Sequence, residues 1–157
     1  MPIKSGKMAE SLDATQANQF TAQLVVRDVQ ASVDFYKSTF GFKDISSLHE
    51  GGMFGKDEAR VLECNGLPFM LISEQASESL EGYHAKSPVT LNTLSPTIIT
   101  VLCTNIQKMY EQAINGGARP IQAPHKTSGG TTTFLVAGLE NYVWRFIDNF
   151  SDLSEAL

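Results

Sequence analysis

The sequence predicts an α+β fold made of two βαβββ modules joined by a long connection. Two observations lead to this prediction: an order of strand, helix, glycine and three strands occurs twice, and 42% of the 157 residues are apolar. That apolar share fits one domain with a real core. In such a domain each helix covers one face of a sheet, and the other faces curve around a shared cleft.

Module one opens with a strand and a helix in "LVVRDVQASVDFYKSTFGF", residues 24–42. Asp28 stands where a helix cap is expected, and Gly41 follows as the stop. Between them the apolar residues recur at helical spacing: Val29, Val33, Tyr36 and Phe40. Three strand candidates come next, separated by glycines: "KDISSLHE", "ARVLECNG" and "LPFMLISE".

The same order returns after a polar connection, which we interpret as a loop. "TIITVLCTNIQKMYEQAINGGA" supplies a strand, a helix and a glycine stop, and three further strand candidates follow it. Setting Gly41 against Gly117 gives an offset of 76 residues, which pairs Thr21 with Thr97 and indicates a duplication. The predicted segments are an N-terminal arm (1–18), a single domain (19–150) comprising module one (19–74), the loop (75–96) and module two (97–150), and a C-terminal tail (151–157).

Charge and composition exclude several classes of partner. A net charge of −5 without any basic run argues against nucleic acid and mildly favours a cationic small molecule. No apolar run approaches the ~20 residues of a membrane span, and the first residues lack the apolar centre of a signal peptide. We therefore predict no membrane partner and a cytoplasmic location. Cys64 and Cys103 lie in apolar strand segments without CxxC spacing, which favours free thiols and leaves a bridge between them open.

The opening segment, together with "NGGARPIQAP" and "VAGLENYVWRFID", resembles the vicinal oxygen chelate superfamily. That family includes glyoxalase I, extradiol dioxygenases, fosfomycin-resistance enzymes and bleomycin-resistance binding proteins. The resemblance covers residues 20–148 and implies paired βαβββ modules, a curved, partly open barrel-like mixed sheet around a cleft, and a homodimer. Whether the modules pair within one chain or swap between two chains stays open.

The resemblance also implies where a metal would bind. Metal-binding members place a His or Gln, a Glu, a His and a Glu on inner strand positions, two from each module. Carried over position by position, these places fall on Thr21, Met70 (with Leu71 or Ile72 as alternatives), Thr97 and Arg145. None is a good ligand for a divalent ion, and the cationic arginine repels one. We therefore predict no metal and no cofactor.

Arg145 is the most informative candidate residue. Strand alternation places it on one face with Val143 and Ile147, toward the cleft. There it either binds a carboxylate, phenolate or phosphate of a ligand, or forms an internal salt bridge to Glu63, and the two interpretations weigh equally. The predicted ligand-binding residues are Thr21, Gln23, Met70, Thr97, Ile99, Trp144 and Arg145. The candidate catalytic residues are Arg145, Glu63, His84 and His125.

Two functional hypotheses follow. The preferred one is a metal-independent binding protein of the glyoxalase/bleomycin-resistance type, which sequesters an organic small molecule between its modules. The alternative is a metal-free isomerase, lyase or cyclase of a biosynthetic or detoxification pathway, in which Arg145 stabilises an oxyanion. A metal-dependent glyoxalase or dioxygenase is least favoured because its ligands are missing. The scaffold alone does not choose, since it hosts many chemistries.

Overall fold

The computed structural model describes residues 21–46 and 55–149; the predicted arm (1–18) and tail (151–157) lie outside the described residues. The strands are β1 (Gln23–Val26), β2 (Lys43–Asp44), β3 (Ala59–Cys64), β4 (Leu67–Ser73), β5 (Ile98–Leu102), β6 (Arg119–Lys126), β7 (Thr132–Ala137) and β8 (Val143–Ile147). The helices are α1 (Val29–Phe40), α2 (Glu74–Glu81) and α3 (Ile106–Asn115). None of the described helices is long and apolar enough to cross a membrane. The predicted α+β fold with two βαβββ modules is confirmed.

Each module builds its own four-stranded mixed sheet, in the order β1-β4-β3-β2 and β5-β8-β7-β6. In both sheets the first strand lies at one edge and pairs in parallel with the last strand. The other pairs are antiparallel. The two sheets thus share one topology, as a duplication requires, and they do not close into a barrel within the described residues.

The two long helices begin and end as the sequence predicts. The Asp28 carboxylate caps α1 and Gly41 ends it with a left-handed φ of 75°. In module two the Asn105 side chain caps α3, and the left-handed glycine is Gly117, with a φ of 109°. The distance from cap to left-handed glycine is therefore 13 positions in module one and 12 in module two.

This one-residue difference corrects the predicted offset. The offset of 76 holds for the glycines, but the caps Asp28 and Asn105 are 77 positions apart, and so are the strands that lead into them. The structural counterpart of Thr21 is therefore Ile98, not Thr97. The cause is the shorter α3, which shifts everything before it by one position.

One helix contradicts the interpretation of the connection as a loop. α2 begins at the cap Ser73, whose hydroxyl accepts the N–H of Ala76, and ends at Gly82 with a φ of 70°. It packs Ala76 against Val25 and Ile72 of the module-one sheet. Its cap and glycine stop are visible in the sequence, but its few apolar residues hide the helical period.

The helix-bearing faces of both sheets meet in one core. Trp144 of β8 is buried against rings from module one. Its ring centroid lies 5.3 Å from that of Tyr36, 5.4 Å from Phe42 and 5.8 Å from Phe69. Such aromatic contacts add to the large apolar area that these rings bury. The two modules are therefore held together by a shared aromatic cluster.

The turn between β7 and β8 forms a second, polar junction with module one. The Tyr142 hydroxyl accepts the N–H of Val25 at 2.9 Å and donates to the Val25 carbonyl at 2.8 Å. The Glu140 carboxylate, 2% exposed, accepts the N–H of Arg27 at 3.0 Å and the hydroxyl of Ser87 at 2.6 Å. Module two thus closes the free edge of β1.

Candidate functional site

Strand register places the predicted site residues on defined faces. Met70 lies opposite Gln23, and Arg145 lies opposite Thr100 and Leu135. Because Gln23 and Thr100 are 77 positions apart, Met70 and Arg145 are structural counterparts. Their sequence neighbours belong to the shared core, so both point away from it.

We name these surfaces the Met70 face and the Arg145 face. The Met70 face consists of the module-one strand residues on the side away from the core: Gln23, Val25, Lys43, Ala59, Val61, Glu63, Pro68, Met70 and Ile72. The Arg145 face consists of the corresponding residues of module two: Ile98, Thr100, Leu102, Arg119, Gln122, His125, Thr133, Leu135, Ala137, Val143, Arg145 and Ile147.

Part of the Met70 face is covered by α2. Val25 and Ile72 pack against Ala76 of this helix, and the Gln23 side-chain amide donates to the Glu81 carboxylate at 2.9 Å. Gln23 is therefore already bound to a partner within its own module.

The Arg145 side chain has no such partner. Its Nε is buried without a hydrogen-bond acceptor, and no ion pair to Glu63 or any other described residue forms. On the same face the Arg119 guanidinium donates to the Asn141 side chain, and the exposed His125 has its Nδ1 3.0 Å from the Ala123 carbonyl oxygen. Arg145 is thus a half-buried cation without a counter-charge in the described part of the chain.

Two cavities lie where the β3–β4 hairpin approaches the open edge of β5. The larger, about 500 Å³, extends from the start of β2 to the end of β5. The smaller, about 370 Å³, extends from the residues before β1 to the middle of β5. Both cavities are bordered by Cys64, Asn65, Val101 and Leu102. We name them together the junction cavities, since each is walled by both modules.

Four of the predicted site residues border the junction cavities. Thr21, Ile99 and Trp144 line the smaller cavity, and Glu63 lines the larger one. Asn65, at the tip of the β3–β4 hairpin, also borders both cavities but is not among the predicted site residues. The signal for its position was present, since the Asn-Gly pair at 65–66 has the positive φ angles, 52° and 84°, of a tight hairpin turn.

The other predicted residues lie elsewhere. Gln23, Met70 and Arg145 occupy the two faces, and Thr97 is exposed just before β5. His84 lies beyond the end of α2, with its Nδ1 3.2 Å from the Glu78 carboxylate on the surface. His125, on β6, does not line either cavity.

The two cysteines border the larger junction cavity from opposite modules. Both are free and half-buried. Burial raises the pKa of the Cys64 thiol to about 11, and the neighbouring Cys103 and Glu63 add to this. Cys64 is therefore a protonated, weakly reactive thiol near neutral pH.

The positions that the resemblance assigns to metal ligands do not fit a metal ion. They hold Thr21, Met70 and Arg145, with Ile98 as the structural counterpart of Thr21. Within 21–46 and 55–149, no group of three or more His, Cys, Asp or Glu side chains is placed to hold a metal. The side chains at these positions are thus of the wrong chemical type for a divalent ion, and too few His, Cys, Asp or Glu side chains of the described residues lie together to replace them.

Comparison with known proteins gives a family. The sequence model of the Glyoxalase/Bleomycin resistance protein/Dioxygenase superfamily matches residues 16–146. A search of curated protein sequences found no significant match.

Solved structures share the fold. A glyoxalase/bleomycin resistance protein/dioxygenase family enzyme from Burkholderia phytofirmans PsJN is 20% identical, with a TM-score of 0.63 over 81% of this chain and 94% of that chain. Lactoylglutathione lyase from Agrobacterium tumefaciens is 9% identical, with a TM-score of 0.61 over 83% and 92%. Fosfomycin resistance protein FosX from Mesorhizobium loti is also 9% identical, with a TM-score of 0.61 over 89% and 97%. At such identities the likeness shows the fold alone.

Proposed function

Because the chain belongs to the Glyoxalase/Bleomycin resistance protein/Dioxygenase superfamily, we propose that it is a metal-independent small-molecule binding protein. It sequesters an organic ligand in the junction cavities between its two modules. One observation carries this proposal: cavities walled by both modules coexist with ligand positions that hold a threonine, a methionine, an isoleucine and an arginine.

The cavities have the character of an organic ligand site. Volumes of about 370 and 500 Å³ lie in the range of small-molecule pockets. The smaller cavity combines apolar walls with a few polar groups, as ligand pockets do: Leu24, Leu67, Phe69, Val101, Leu102 and Trp144 beside Thr21, Asn65 and Thr100. The apolar walls supply affinity and the polar groups orient the ligand.

The chemistry of the walls favours binding over turnover. Apart from the two thiols, the ionisable side chains that border the junction cavities are Lys43 and Glu63. A proton transfer needs an acid or base within hydrogen-bond reach of the substrate. Of the candidate catalytic residues only Glu63 borders a cavity, and it lines the larger one, while Arg145, His84 and His125 line neither. We therefore place the metal-free isomerase, lyase or cyclase second.

The homodimer belongs to the same proposal. Ile98, Leu67 and Leu102 are 43%, 51% and 45% exposed beside the open edge of β5. Exposed apolar side chains along an unpaired strand edge favour association with another chain. A second copy that covers this edge would also complete the cavity walls. The cytoplasmic location stays a prediction from the sequence.

Native mass spectrometry tests the proposal. The purified protein is incubated with a small-molecule extract of its host, and we expect a dimer that carries an organic mass, released unchanged on denaturation. Thr100→Tyr, which places a larger side chain in the smaller cavity, should lose that mass. His84→Ala, outside both cavities, is the matched control and should retain it.

Two results would contradict the proposal. A divalent metal bound in stoichiometric amount would place the protein among the metal-dependent members of its family. A bound mass that was absent from the extract would favour the metal-free enzyme.

A further inference from the structure

We infer that the bound organic ligand is an anion, whose carboxylate binds the guanidinium of Arg145. This inference rests on the proposed function, because it names the chemical class of the ligand in the junction cavities. Three observations support it: an arginine without a partner, a face without acidic residues, and the register that brings this arginine next to the smaller cavity.

The first observation is the state of Arg145 itself. Its Nε–H is buried and donates to no acceptor among the described residues, although a guanidinium keeps its charge in proteins. A buried donor without an acceptor costs free energy, and such groups are nearly always hydrogen-bonded. An anion bound here would give the Nε–H its acceptor and the half-buried guanidinium its counter-charge.

The second observation is the sign of the surrounding charges. On the Arg145 face the charged and titratable side chains are Arg119, His125 and Arg145, and no Asp or Glu lies there. The Met70 face differs, since its Lys43 lies opposite the acidic Glu63 and it is also bordered by Glu81 of α2. Although the whole chain has a net charge of −5, this face is locally cationic. The local charge decides which ligand binds, so the preference for a cation that the net charge suggests does not apply here.

The third observation is position. Thr100 lines the smaller junction cavity and lies directly opposite Arg145 on the neighbouring strand. Neighbouring strands are about 4.8 Å apart. Arg145 lines neither cavity, but β5 is an edge strand, and a ligand that extends past Thr100 around this edge comes within reach of the guanidinium. The paired N–H donors of the guanidinium match the two oxygens of a carboxylate.

Module one offers an internal comparison. The counterpart of Arg145 is Met70, which has no charge and no donor. The duplication thus produced one apolar and one cationic version of the same strand position. The ligand is expected to be amphipathic, with its anionic group at module two and its apolar part in the junction cavities.

Ligand-observed NMR with matched probes tests the inference. A panel of aromatic carboxylates is compared with the corresponding primary amides and aminomethyl compounds. We expect the carboxylates to bind about tenfold or more tightly than their amides, which corresponds to about 1.4 kcal/mol or more. Arg145→Met, which copies the residue of module one, should abolish this preference. Arg119→Met removes the other arginine of the Arg145 face, whose guanidinium already donates to the Asn141 side chain. This variant should keep the preference for carboxylates.

Several results would overturn the inference that the ligand is an anion. Acids and amides binding equally, amines binding best, or no acid binding at all would overturn the inference; in the first two cases the proposed binding function would stand. If Arg145→Met dissociates a homodimer and lowers the melting temperature, the partner of Arg145 is a carboxylate of the second copy, and the inference is wrong. Should Arg145→Met fail to fold, Arg145→Lys keeps the charge without the paired donors and should weaken the preference for acids.

Discussion

The two modules have the same topology but differ at the free edge of their first strand. In module one, the Tyr142 hydroxyl bonds both backbone groups of Val25. Its counterpart in module two is Leu102, 77 positions further along, and within the described ranges no side chain bonds the β5 edge there. The junction cavities lie along β5, and Leu24 is the one residue of β1 in their walls. The closed edge of β1 therefore joins the modules, whereas the open edge of β5 borders the candidate site.

The helices α1 and α3 also differ between the modules, in the size of the side chain at one equivalent buried position. Tyr36 of α1 corresponds to Ala113 of α3, and both are buried. The large ring fills the space in front of Trp144, while the small residue leaves room for the helices to approach. One shared core is thus built from a large residue in one module and a small residue in the other.

Removal of Trp144 should produce the largest effect, because this residue makes most of the ring contacts between module two and module one. Trp144→Ala is expected to cost about 3–5 kcal/mol in the free energy of unfolding. Urea denaturation followed by circular dichroism measures it. Trp144→Phe is the control and should cost much less, since the indole Nε1 is buried without a partner and its loss leaves nothing unpaired. Equal losses in the two variants would show that the ring contacts do not join the modules.

The close contact between the end of α3 and α1 should produce the next largest effect on stability. A Cβ on Gly116 would lie 2.9 Å from the Cα of Thr39, so Gly116→Ala should cost about 1–3 kcal/mol through overpacking. Gly41, by contrast, needs only its left-handed φ of 75°. Gly41→Asn should therefore fold nearly as well as the wild type, because asparagine tolerates this conformation, whereas Gly116→Asn should not. Thermal unfolding of the three variants and the wild type distinguishes these cases. A tolerated Gly116→Asn would mean that the two helices lie further apart than the contact of Gly116 with Thr39 indicates.

These contrasts also explain what the sequence can predict. The βαβββ order is visible because the strand, cap and glycine signals of α1 recur in α3. The 76-residue offset was wrong by one at the strands, because α3 is one position shorter between cap and glycine. α2 was missed because its cap, Ser73, and its stop, Gly82, enclose few apolar residues.

The candidate site was less predictable. Strand alternation placed Arg145 correctly on the face opposite Trp144. The junction cavities, however, depend on how the two modules dock, and that depends on contacts such as those of Trp144 with Phe42 and Phe69. No spacing within one module encodes such contacts, so Asn65 and Thr100 were not recognised as wall residues.

The closed edge of β1 should contribute a smaller amount of stability. Tyr142→Phe removes both bonds to Val25 and is expected to cost about 1–2 kcal/mol at neutral pH, while Tyr83→Phe, at a 64% exposed position, should cost almost nothing. Burial raises the pKa of Tyr142 to about 12 from 10.0, so the folded state favours the protonated phenol. Its contribution is complete below pH about 10 and falls as the pH rises toward 12. A difference between wild type and Tyr142→Phe that does not shrink over this window would contradict the pairing.

The two thiols provide the finest test of the comparison, because they border one cavity from opposite modules. Burial first, and then the proximity of Cys103 and Glu63, raise the pKa of Cys64 to about 11. Since the thiolate is the nucleophile, iodoacetamide at pH 8 should alkylate Cys103 before Cys64 in the folded protein, and both at similar rates in urea. Peptide mass spectrometry over time gives the two rates. A bound ligand in the larger cavity should slow both reactions together, because both residues line it. Protection of Cys64 alone would place the ligand in the smaller cavity, which Cys64 borders and Cys103 does not. If a ligand protected neither thiol, it would not bind in the junction cavities, since Cys64 borders both.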